Sequence, residues 1–206
     1  EAGACVAWFH PVGIGGFRLR LPRINFRTHR KLVVIDGGLG FTGGVNICDE
    51  GNARHSASAF HDLHVRLRGE AVGWLQSAFV EDWLYATREH LSSEGLWPTQ
   101  EQGGIACQVL PSGPDLRWEP FHRLAVSSIH QARERVWLVT PYFVPSEAAL
   151  MALTSAAQRG VEVRLLVPRV SDSRLVTWAA RSYFGELMRA GVAVHEYQPR
   201  MLHTKA

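Results

Sequence analysis

A short pattern occurs twice in this chain and predicts that it folds as two related units. Residues 2–11 (AGACVAWFHP) and 190–199 (AGVAVHEYQP) share an Ala-Gly pair, a valine, an aromatic residue and a closing proline. Each pattern is followed by a His-x-Lys sequence, at 29–31 in the first copy and at 203–205 in the second. Because both copies keep the same order of features, we interpret them as an internal duplication.

Strand-like and helix-like segments alternate along the chain, which predicts an α/β fold. We predict strands over residues 3–9, 32–35, 63–67, 107–110, 136–140, 161–167 and 192–197. Apolar periodicity predicts helices over residues 70–90, 121–133, 146–159 and 173–190. The seven tryptophans lie mostly at helix-face positions, so we expect them in the core. We predict an N-terminal half over 1–94, a linker over 95–106 and a C-terminal half over 107–206.

Composition excludes several classes of protein. With 206 residues, 46% hydrophobic and 20% charged, the chain is neither disordered, collagen-like nor a coiled coil. Its apolar runs are of strand length, so we expect no transmembrane segment, and no signal peptide is visible. Three separate cysteines without a CxxC pair predict reduced thiols in the core of a domain that faces the cytosol.

Lysine occurs at only two positions among 22 basic residues, and both follow a histidine by two positions. On a strand, residues i and i+2 face the same side, so His29 projects with Lys31 and His203 projects with Lys205. Two related halves can bring both pairs together at a pseudo-two-fold axis. One histidine could then attack phosphorus while the other protonates the leaving oxygen, and the ammonium groups would stabilise the phosphate charge. This chemistry requires no metal and no cofactor.

The first motif resembles the HKD motif of the phospholipase D superfamily. It reads His29-x-Lys31-x4-Asp36-x6-Gly43-Gly44-x-Asn46. Further stretches of the chain resemble the bacterial cardiolipin synthase branch of this superfamily. They lie at 61–67, 109–114, 140–145, 181–184 and 196–199. The resemblance implies two α-β-α sandwich halves of the phospholipase D type. It also implies a fragment truncated at both ends and nearly inactive alone, because the second motif stops after Lys205.

The resemblance implies a role for each matching residue. His29 would be the nucleophile and His203 the general acid and base, or the reverse. Lys31, Lys205 and Asn46 would bind phosphate oxygens.

Two carboxylates have supporting roles in this resemblance. Asp36 would organise the strand and turn of the first motif. The family also uses a carboxylate downstream of each motif to hydrogen-bond the histidine of its half, and Asp62 would be the partner of His29. Such a partner fixes the tautomer and supports the imidazolium form.

A cluster of histidines near Asp62 offers an alternative interpretation as a metal site. His55, His61 and His64 are its other members. His61 and Asp62 would point to opposite sides of a strand, and no fourth ligand has suitable spacing. We therefore expect no metal.

A basic and apolar loop over residues 17–27 is a candidate membrane interface. Phe17, Arg18, Leu19 and Arg20 begin its alternation of apolar side chains and arginines. This pattern suits an anionic lipid surface, although a strand with one solvated basic face fits equally. A basic loop could also bind nucleic acid, because nucleases share this active site in the superfamily.

The resemblance favours a membrane-associated phosphatidyltransferase of the cardiolipin synthase type. It would join two phosphatidylglycerols and release glycerol through a phosphatidyl-histidine intermediate, on the cytosolic side of the bacterial cytoplasmic membrane. Its partners would be phosphatidylglycerol and an anionic membrane surface, with no nucleic acid expected. The alternatives are a phosphodiesterase or nuclease that uses water as acceptor, and a non-catalytic lipid-binding fragment.

Overall fold

The computed structural model describes residues 3–9, 28–52, 54–92, 94–113, 118–198 and 200–206. The predicted α/β class is confirmed, because strands and helices alternate along most of these residues. The elements are β1 (Leu32–Ile35), β2 (Leu39–Gly43), β3 (His64–Arg68), α1 (Ala71–Thr87), α2 (Pro120–Gln131), β4 (Arg135–Val139), α3 (Glu147–Gln158), β5 (Glu162–Pro168), α4 (Arg174–Arg189) and β6 (Ala193–Tyr197).

The described residues divide into two compact units. The first contains residues up to Thr42 together with Val65–Phe121, and the second contains Gly43–His64 together with His122–Ala206. The segment Gly43–His64 is therefore grouped with the C-terminal part of the chain. The related halves inferred from the repeat stay a prediction, since compactness does not measure relatedness.

The first unit is built around a three-stranded sheet in the order β1-β2-β3. Strands β1 and β2 form an antiparallel hairpin that the sequence analysis did not anticipate, with Ile35 opposite Leu39. Its turn has positive φ at Asp36 (51°) and Gly37 (63°), and Gly38 N–H donates to the Ile35 carbonyl over 3.1 Å. Positive φ at both central residues is the type I′ geometry that Asp-Gly favours. The turn therefore directs the chain straight back along β1.

The second unit contains a parallel sheet in the order β4-β5-β6, whose crossovers are α3 and α4. Both helices begin at a serine, Ser146 and Ser173, whose hydroxyl accepts a hydrogen bond from the backbone N–H three residues later. Glycines with positive φ, Gly160 and Gly191, follow the ends of these helices. These caps are typical start and stop signals.

The core of the second unit lies between the sheet and its helices. Its most deeply buried large side chains are Leu153 of α3, Leu165 of β5 and Leu187 of α4, each at most 1% exposed. Alternate residues of β5 face inward, which matches the period of two that a strand imposes.

Two predicted strands are wrong. Residues 3–9 and 107–110 form no strand in the structure. Residues 3–9 are mostly exposed, and residues 109 and 110 are only half-buried. Neither stretch pairs along a ladder with another described segment, so a β-favouring composition alone does not produce a strand.

The predictions that the cysteines and most of the tryptophans lie in the core are also wrong. Cys5, Cys48 and Cys107 are free thiols and all three are exposed. The tryptophans show the same tendency. Six are exposed, at 49–78% of their surface: Trp8, Trp74, Trp97, Trp118, Trp137 and Trp178. Apolar residues occur all around α1, so its period selects no single buried face for a residue such as Trp74. Trp137 instead makes cation–π contacts at the surface. The guanidinium carbons of Arg135 and Arg164 each lie 5.4 Å from its ring centroid.

Within the described ranges, no helix combines the length and the apolar character required to cross a bilayer.

Candidate active site

The segment that carries His203 is held on two sides within the second unit. His61 N–H donates to the Met201 carbonyl and His203 N–H donates to the His61 carbonyl, both over 2.8 Å. On the other side, Ala206 and Val139 exchange two backbone hydrogen bonds of 3.0 and 2.7 Å. His203 therefore lies on a strand-like segment between residue 61 and the end of β4, with its backbone fixed.

The imidazole of His203 is bound by the carboxylate of Asp62. Nδ1 of His203 lies 2.6 Å from Oδ2 of Asp62, and the two side chains are only 12% and 8% exposed. The other oxygen, Oδ1, accepts a hydrogen bond from the Leu63 backbone N–H over 2.8 Å. An ionised carboxylate only accepts hydrogen bonds, so Nδ1 carries the proton and Nε2 is the nitrogen that can exchange one.

This contact corrects the partner expected for Asp62. The family resemblance implied that Asp62 orients His29, but its carboxylate binds His203. The reason lies in the fold, because residues 43–64 pack in the unit that contains the C-terminal residues.

Two glycines of the first motif make room for this carboxylate. A Cβ atom on Gly44 would overlap Oδ1 and Cγ of Asp62, and a Cβ atom on Gly43 would overlap the Leu63 carbonyl. Gly43 also has φ of 151°, and Gly44 N–H donates to the Leu63 carbonyl over 2.9 Å. The Gly-Gly pair therefore lets the chain pass directly against Asp62.

The residues after His203 complete the second His-x-Lys site. Thr204 is 8% exposed, and its hydroxyl donates to the His61 carbonyl over 3.2 Å. Lys205 donates from Nζ to the His203 carbonyl over 2.6 Å, and the same Nζ lies 3.1 Å from Nε2 and 3.2 Å from Nδ1 of the ring. An ammonium group therefore lies beside both ring nitrogens.

The first His-x-Lys site lies in the first unit, immediately before β1. Lys31 Nζ donates to the His29 carbonyl over 2.8 Å, and the His29 side chain is exposed. Arg30 anchors this segment, since its guanidinium contacts Asp82 Oδ1 at 2.5 Å and donates to the Ser112 carbonyl over 3.2 Å.

A pocket of about 130 Å³ opens beside His203 in the second unit. Its lining residues are Val45, Asn46, Cys48, Gly51, Phe60, Asp62 and His203. Asn46, Asp62 and His203 were all site candidates, and the structure brings these three together. The amide of Asn46 can therefore serve a ligand that also reaches the imidazole.

Two aromatic neighbours of His203 were not anticipated as site residues. Its ring centroid lies 5.7 Å from that of Phe60, and Tyr142 meets it edge-on at 6.5 Å. Tyr142 lies in the 140–145 stretch that carries part of the family resemblance, which was the available signal for it.

The remaining candidates are distributed as follows. His29, Lys31 and Asp36 belong to the first unit. Phe17, Arg18, Leu19 and Arg20, the candidate interface loop, lie outside the described residues.

The histidines near Asp62 do not converge on an ion site. Among the described residues, no group of three or more His, Cys, Asp or Glu side chains could hold a metal. His61 stacks on Tyr197, with ring centroids 5.4 Å apart, whereas Asp62 binds His203.

Comparison of the sequence with known proteins identifies the family of this chain. Residues 125–206 match the family model described as cardiolipin synthase, phospholipase D-like domain. The chain is 45% identical to a cardiolipin synthase of Geobacillus kaustophilus over 197 residues, which are 91% of this chain and 39% of that protein. It is 44% identical to cardiolipin synthase 2 of Bacillus cereus over 209 residues, covering 100% of this chain and 40% of that protein. The chain belongs to the phospholipase D-like family.

The two kinds of match within this family cover different parts of the site. The family model includes Tyr142, His203 and Lys205, whereas Asn46 and Asp62 lie in the part matched by the whole-chain relatives. The chain spans about two fifths of the length of these curated relatives.

A polyphosphate kinase structure from Porphyromonas gingivalis is also similar over 42% of this chain and 12% of that one, at 18% identity and a TM-score of 0.30. A likeness of that size carries no argument about function.

Proposed function

We propose that this protein is a phosphatidyltransferase that joins two phosphatidylglycerols into cardiolipin and releases glycerol. The observation that carries the proposal is the Asp62–His203 pair beside a pocket that also contains Asn46. A carboxylate-bound imidazole next to an ammonium group suits transfer of a phosphate diester. The names of the relatives, all cardiolipin synthases, supply the substrate class.

The reaction proceeds in two displacements. In the first, Nε2 of one histidine attacks the phosphorus of a phosphatidylglycerol, so a P–N bond forms and the P–O bond to glycerol breaks. The other histidine gives its proton to the departing glycerol oxygen. In the second, a hydroxyl of another phosphatidylglycerol loses its proton to that histidine and attacks phosphorus, and the P–N bond breaks. His29 acts as the nucleophile and His203 as the acid and base, or the reverse.

The supporting residues act on charge and orientation. Lys31, Lys205 and Asn46 stabilise the non-bridging phosphate oxygens in both displacements. Asp62 keeps the proton of His203 on Nδ1 and stabilises the imidazolium form when Nε2 gains a proton. This arrangement serves an acid and base as well as a nucleophile, so it leaves the order of the two roles to experiment.

An exposed surface of the second unit supports contact with an anionic bilayer on the cytosolic side of the membrane. Val170, Leu175 and Trp178 are 72%, 73% and 66% exposed, and Leu175 and Trp178 share one face of α4. Arg169 and Arg174 flank them and are also exposed. Apolar side chains bordered by arginines suit the interface of an anionic membrane. The loop over residues 17–20 stays a second candidate for this contact.

The test measures products from phosphatidylglycerol vesicles incubated with the full-length protein. We expect cardiolipin and glycerol in equal amounts, and an acid-labile phosphatidyl group bound to the protein during turnover. His203→Ala and His29→Ala should each abolish turnover. His195→Ala is the matched control, because His195 is an exposed residue of β6 outside the pocket, and it should leave turnover unchanged.

Other products would replace the proposal with one of its alternatives. Phosphatidate without cardiolipin would show a phosphodiesterase that uses water, and cleavage of an oligonucleotide without lipid turnover would show a nuclease. Vesicle binding without any product would show a lipid-binding protein.

A further inference from the structure

The imidazole of His203 has a neighbour for which the reaction proposed above gives no role. Tyr142 follows β4 and meets the His203 ring edge-on, with centroids 6.5 Å apart and planes inclined by 79°. Asp62 and Phe60 contact the same imidazole. Edge-on aromatic pairs at this separation are attractive and restrict the rotation of both rings.

Tyr142 is itself fixed at both ends. Its hydroxyl donates to Oδ2 of Asp172 over 3.0 Å, and Ser171 donates to the other carboxylate oxygen over 2.8 Å. At the backbone, Tyr142 N–H donates to the Thr140 hydroxyl over 3.4 Å. Tyr142 is 40% exposed, and hydrogen bonds at its hydroxyl and its backbone hold the ring against His203.

The carboxylate that holds Tyr142 is anchored to the start of α4. Ser173, the N-cap of α4, donates from its backbone N–H to the Ser171 hydroxyl over 3.3 Å. A chain of hydrogen bonds therefore runs from the first turn of α4 through Ser171 and Asp172 to the Tyr142 hydroxyl. Among the described residues, the Asp172 carboxylate is hydrogen-bonded by Tyr142 and Ser171, so its effect on His203 passes through Tyr142.

The hydroxyl of Tyr142 keeps its proton during catalysis. Burial, the hydrogen bond to Asp172 and the negative charge of that carboxylate raise the pKa of Tyr142 to about 12. The side chain is therefore a neutral donor to Asp172 at any working pH and adds no charge beside His203.

We propose that Tyr142 and Asp172 form a positioning pair that holds the His203 imidazole in register with Asp62. The inference rests on the proposed function of His203. Asp62 fixes one ring nitrogen, and Phe60 and Lys205 lie beside the same ring. The edge of Tyr142 further limits rotation about the Asp62 hydrogen bond, and Asp172 keeps that edge in place. Correct placement of a reacting group by such contacts affects turnover more than substrate binding.

The test compares three variants of the full-length protein in the phosphatidylglycerol assay. Tyr142→Phe keeps the ring and removes the hydroxyl, and Asp172→Asn keeps the shape and removes the charge. Each should lower kcat about tenfold with little change in KM. The double variant should be no slower than either single one, because both changes weaken the same contact between Tyr142 and residue 172. Tyr183→Phe is the control, since Tyr183 meets Phe143 in the core and not His203, and it should match the unmodified protein.

A second double-mutant cycle tests whether Tyr142 acts on kcat through the same imidazole that Asp62 binds. In an Asp62→Asn background, Tyr142→Phe should cause little further loss, whereas independent actions would multiply. Wild-type kcat in both Tyr142→Phe and Asp172→Asn overturns the positioning pair, as does a loss confined to KM. His203→Ala, assayed in the same panel, separates the two proposals. If that variant turns over, the proposed function fails, and if it is inactive while Tyr142→Phe is normal, only the positioning pair fails.

Discussion

The two His-x-Lys sites share one local geometry and differ in what surrounds the histidine. In each, the lysine Nζ donates to the backbone carbonyl of the histidine two positions earlier, over 2.8 Å for Lys31 and 2.6 Å for Lys205. The His29 side chain is exposed, whereas that of His203 is 12% exposed and bound by Asp62. The lysine contact thus comes from the motif itself, and the carboxylate contact comes from a distant segment of the chain.

The middle residues of the two His-x-Lys sequences also differ in their distant contacts. Arg30 reaches Asp82 on α1, and Thr204 hydrogen-bonds the His61 carbonyl. Both anchor their motif, but with different chemistry and different partners. The two His-x-Lys sequences therefore share the short-range geometry that their own residues determine, and they differ in the distant residues that anchor them.

The largest effect is expected from removing the charge of the carboxylate that distinguishes the second site. Asp62→Asn should lower kcat by about 100- to 10,000-fold, because an amide no longer fixes the Nδ1 proton or stabilises the imidazolium. The measurement is cardiolipin formation by the full-length protein, with thermal melting to verify that the variant is folded.

Asp82→Asn is the matched comparison at the first site. Asp82 contacts Arg30 and not a histidine, and both side chains of that ion pair are 24% exposed. The variant should therefore lose far less turnover than Asp62→Asn. Equal losses in the two variants would contradict the distinction between a carboxylate that orients a histidine and one that anchors the chain.

A smaller effect is expected from exchanging the lysines for arginine. Lys31→Arg and Lys205→Arg should each lower kcat about 10- to 100-fold, because a planar guanidinium cannot occupy the place of a compact ammonium beside imidazole and phosphate. The two losses should be similar, because the two lysines have the same local geometry. The measurement is the same lipid assay.

A conservative exchange elsewhere controls for the chemistry of arginine and lysine. Arg66→Lys lies on the exposed part of β3 and should leave turnover unchanged. Normal turnover of Lys31→Arg alone would break the symmetry of the two sites and make Lys31 dispensable.

Sequence reasoning succeeded where the deciding interactions are local. Helix α4 could be predicted from its apolar period, its N-cap Ser173 and Gly191 beyond its end, because all three signals lie within the segment. The family resemblance implied a phosphate-binding role for Asn46, which stays a prediction; Asn46 lines the same pocket as His203.

It failed where the deciding contact joins distant segments. The family resemblance assigned Asp62 to His29, the histidine of the preceding motif, yet Asp62 binds His203, 141 positions further along the chain. Strand β2 was missed because its Leu-Gly-Phe-Thr-Gly sequence has weak strand propensity, and pairing with β1 stabilises it instead. No pattern within either segment reports such a partner.

The glycines beside Asp62 should affect stability more modestly. Gly44→Ala places a Cβ atom against Asp62 Oδ1, so the carboxylate or the backbone must move. We expect a loss of about 1–3 kcal/mol in the free energy of unfolding, together with reduced turnover, because the Asp62–His203 contact shifts. Denaturant unfolding measures the first quantity and the lipid assay the second.

Gly38→Ala provides the control on the other unit. Its Cβ atom would meet only the Asp36 carbonyl, at 3.8 Å, which is ordinary contact. Its unfolding free energy should change by no more than about 0.5 kcal/mol. A Gly44→Ala variant as stable and active as this control would show that Asp62 does not need the close approach of the chain.

The smallest effect is expected from metal removal, which asks whether either histidine acts through an ion. At the second site, Asp62 binds Nδ1 of His203, and the Lys205 ammonium lies 3.1 Å from Nε2. A cation at Nε2 would have to displace that like charge, which opposes binding there. The reaction also needs no Lewis acid if two histidines and two lysines supply the nucleophile, the acid and the charge stabilisation.

Exhaustive dialysis against EDTA should therefore leave cardiolipin formation within error of the untreated protein. Loss of turnover that zinc restores would assign an ion to one of the sites, and repeating the titration with His29→Ala and His203→Ala would show which histidine binds it.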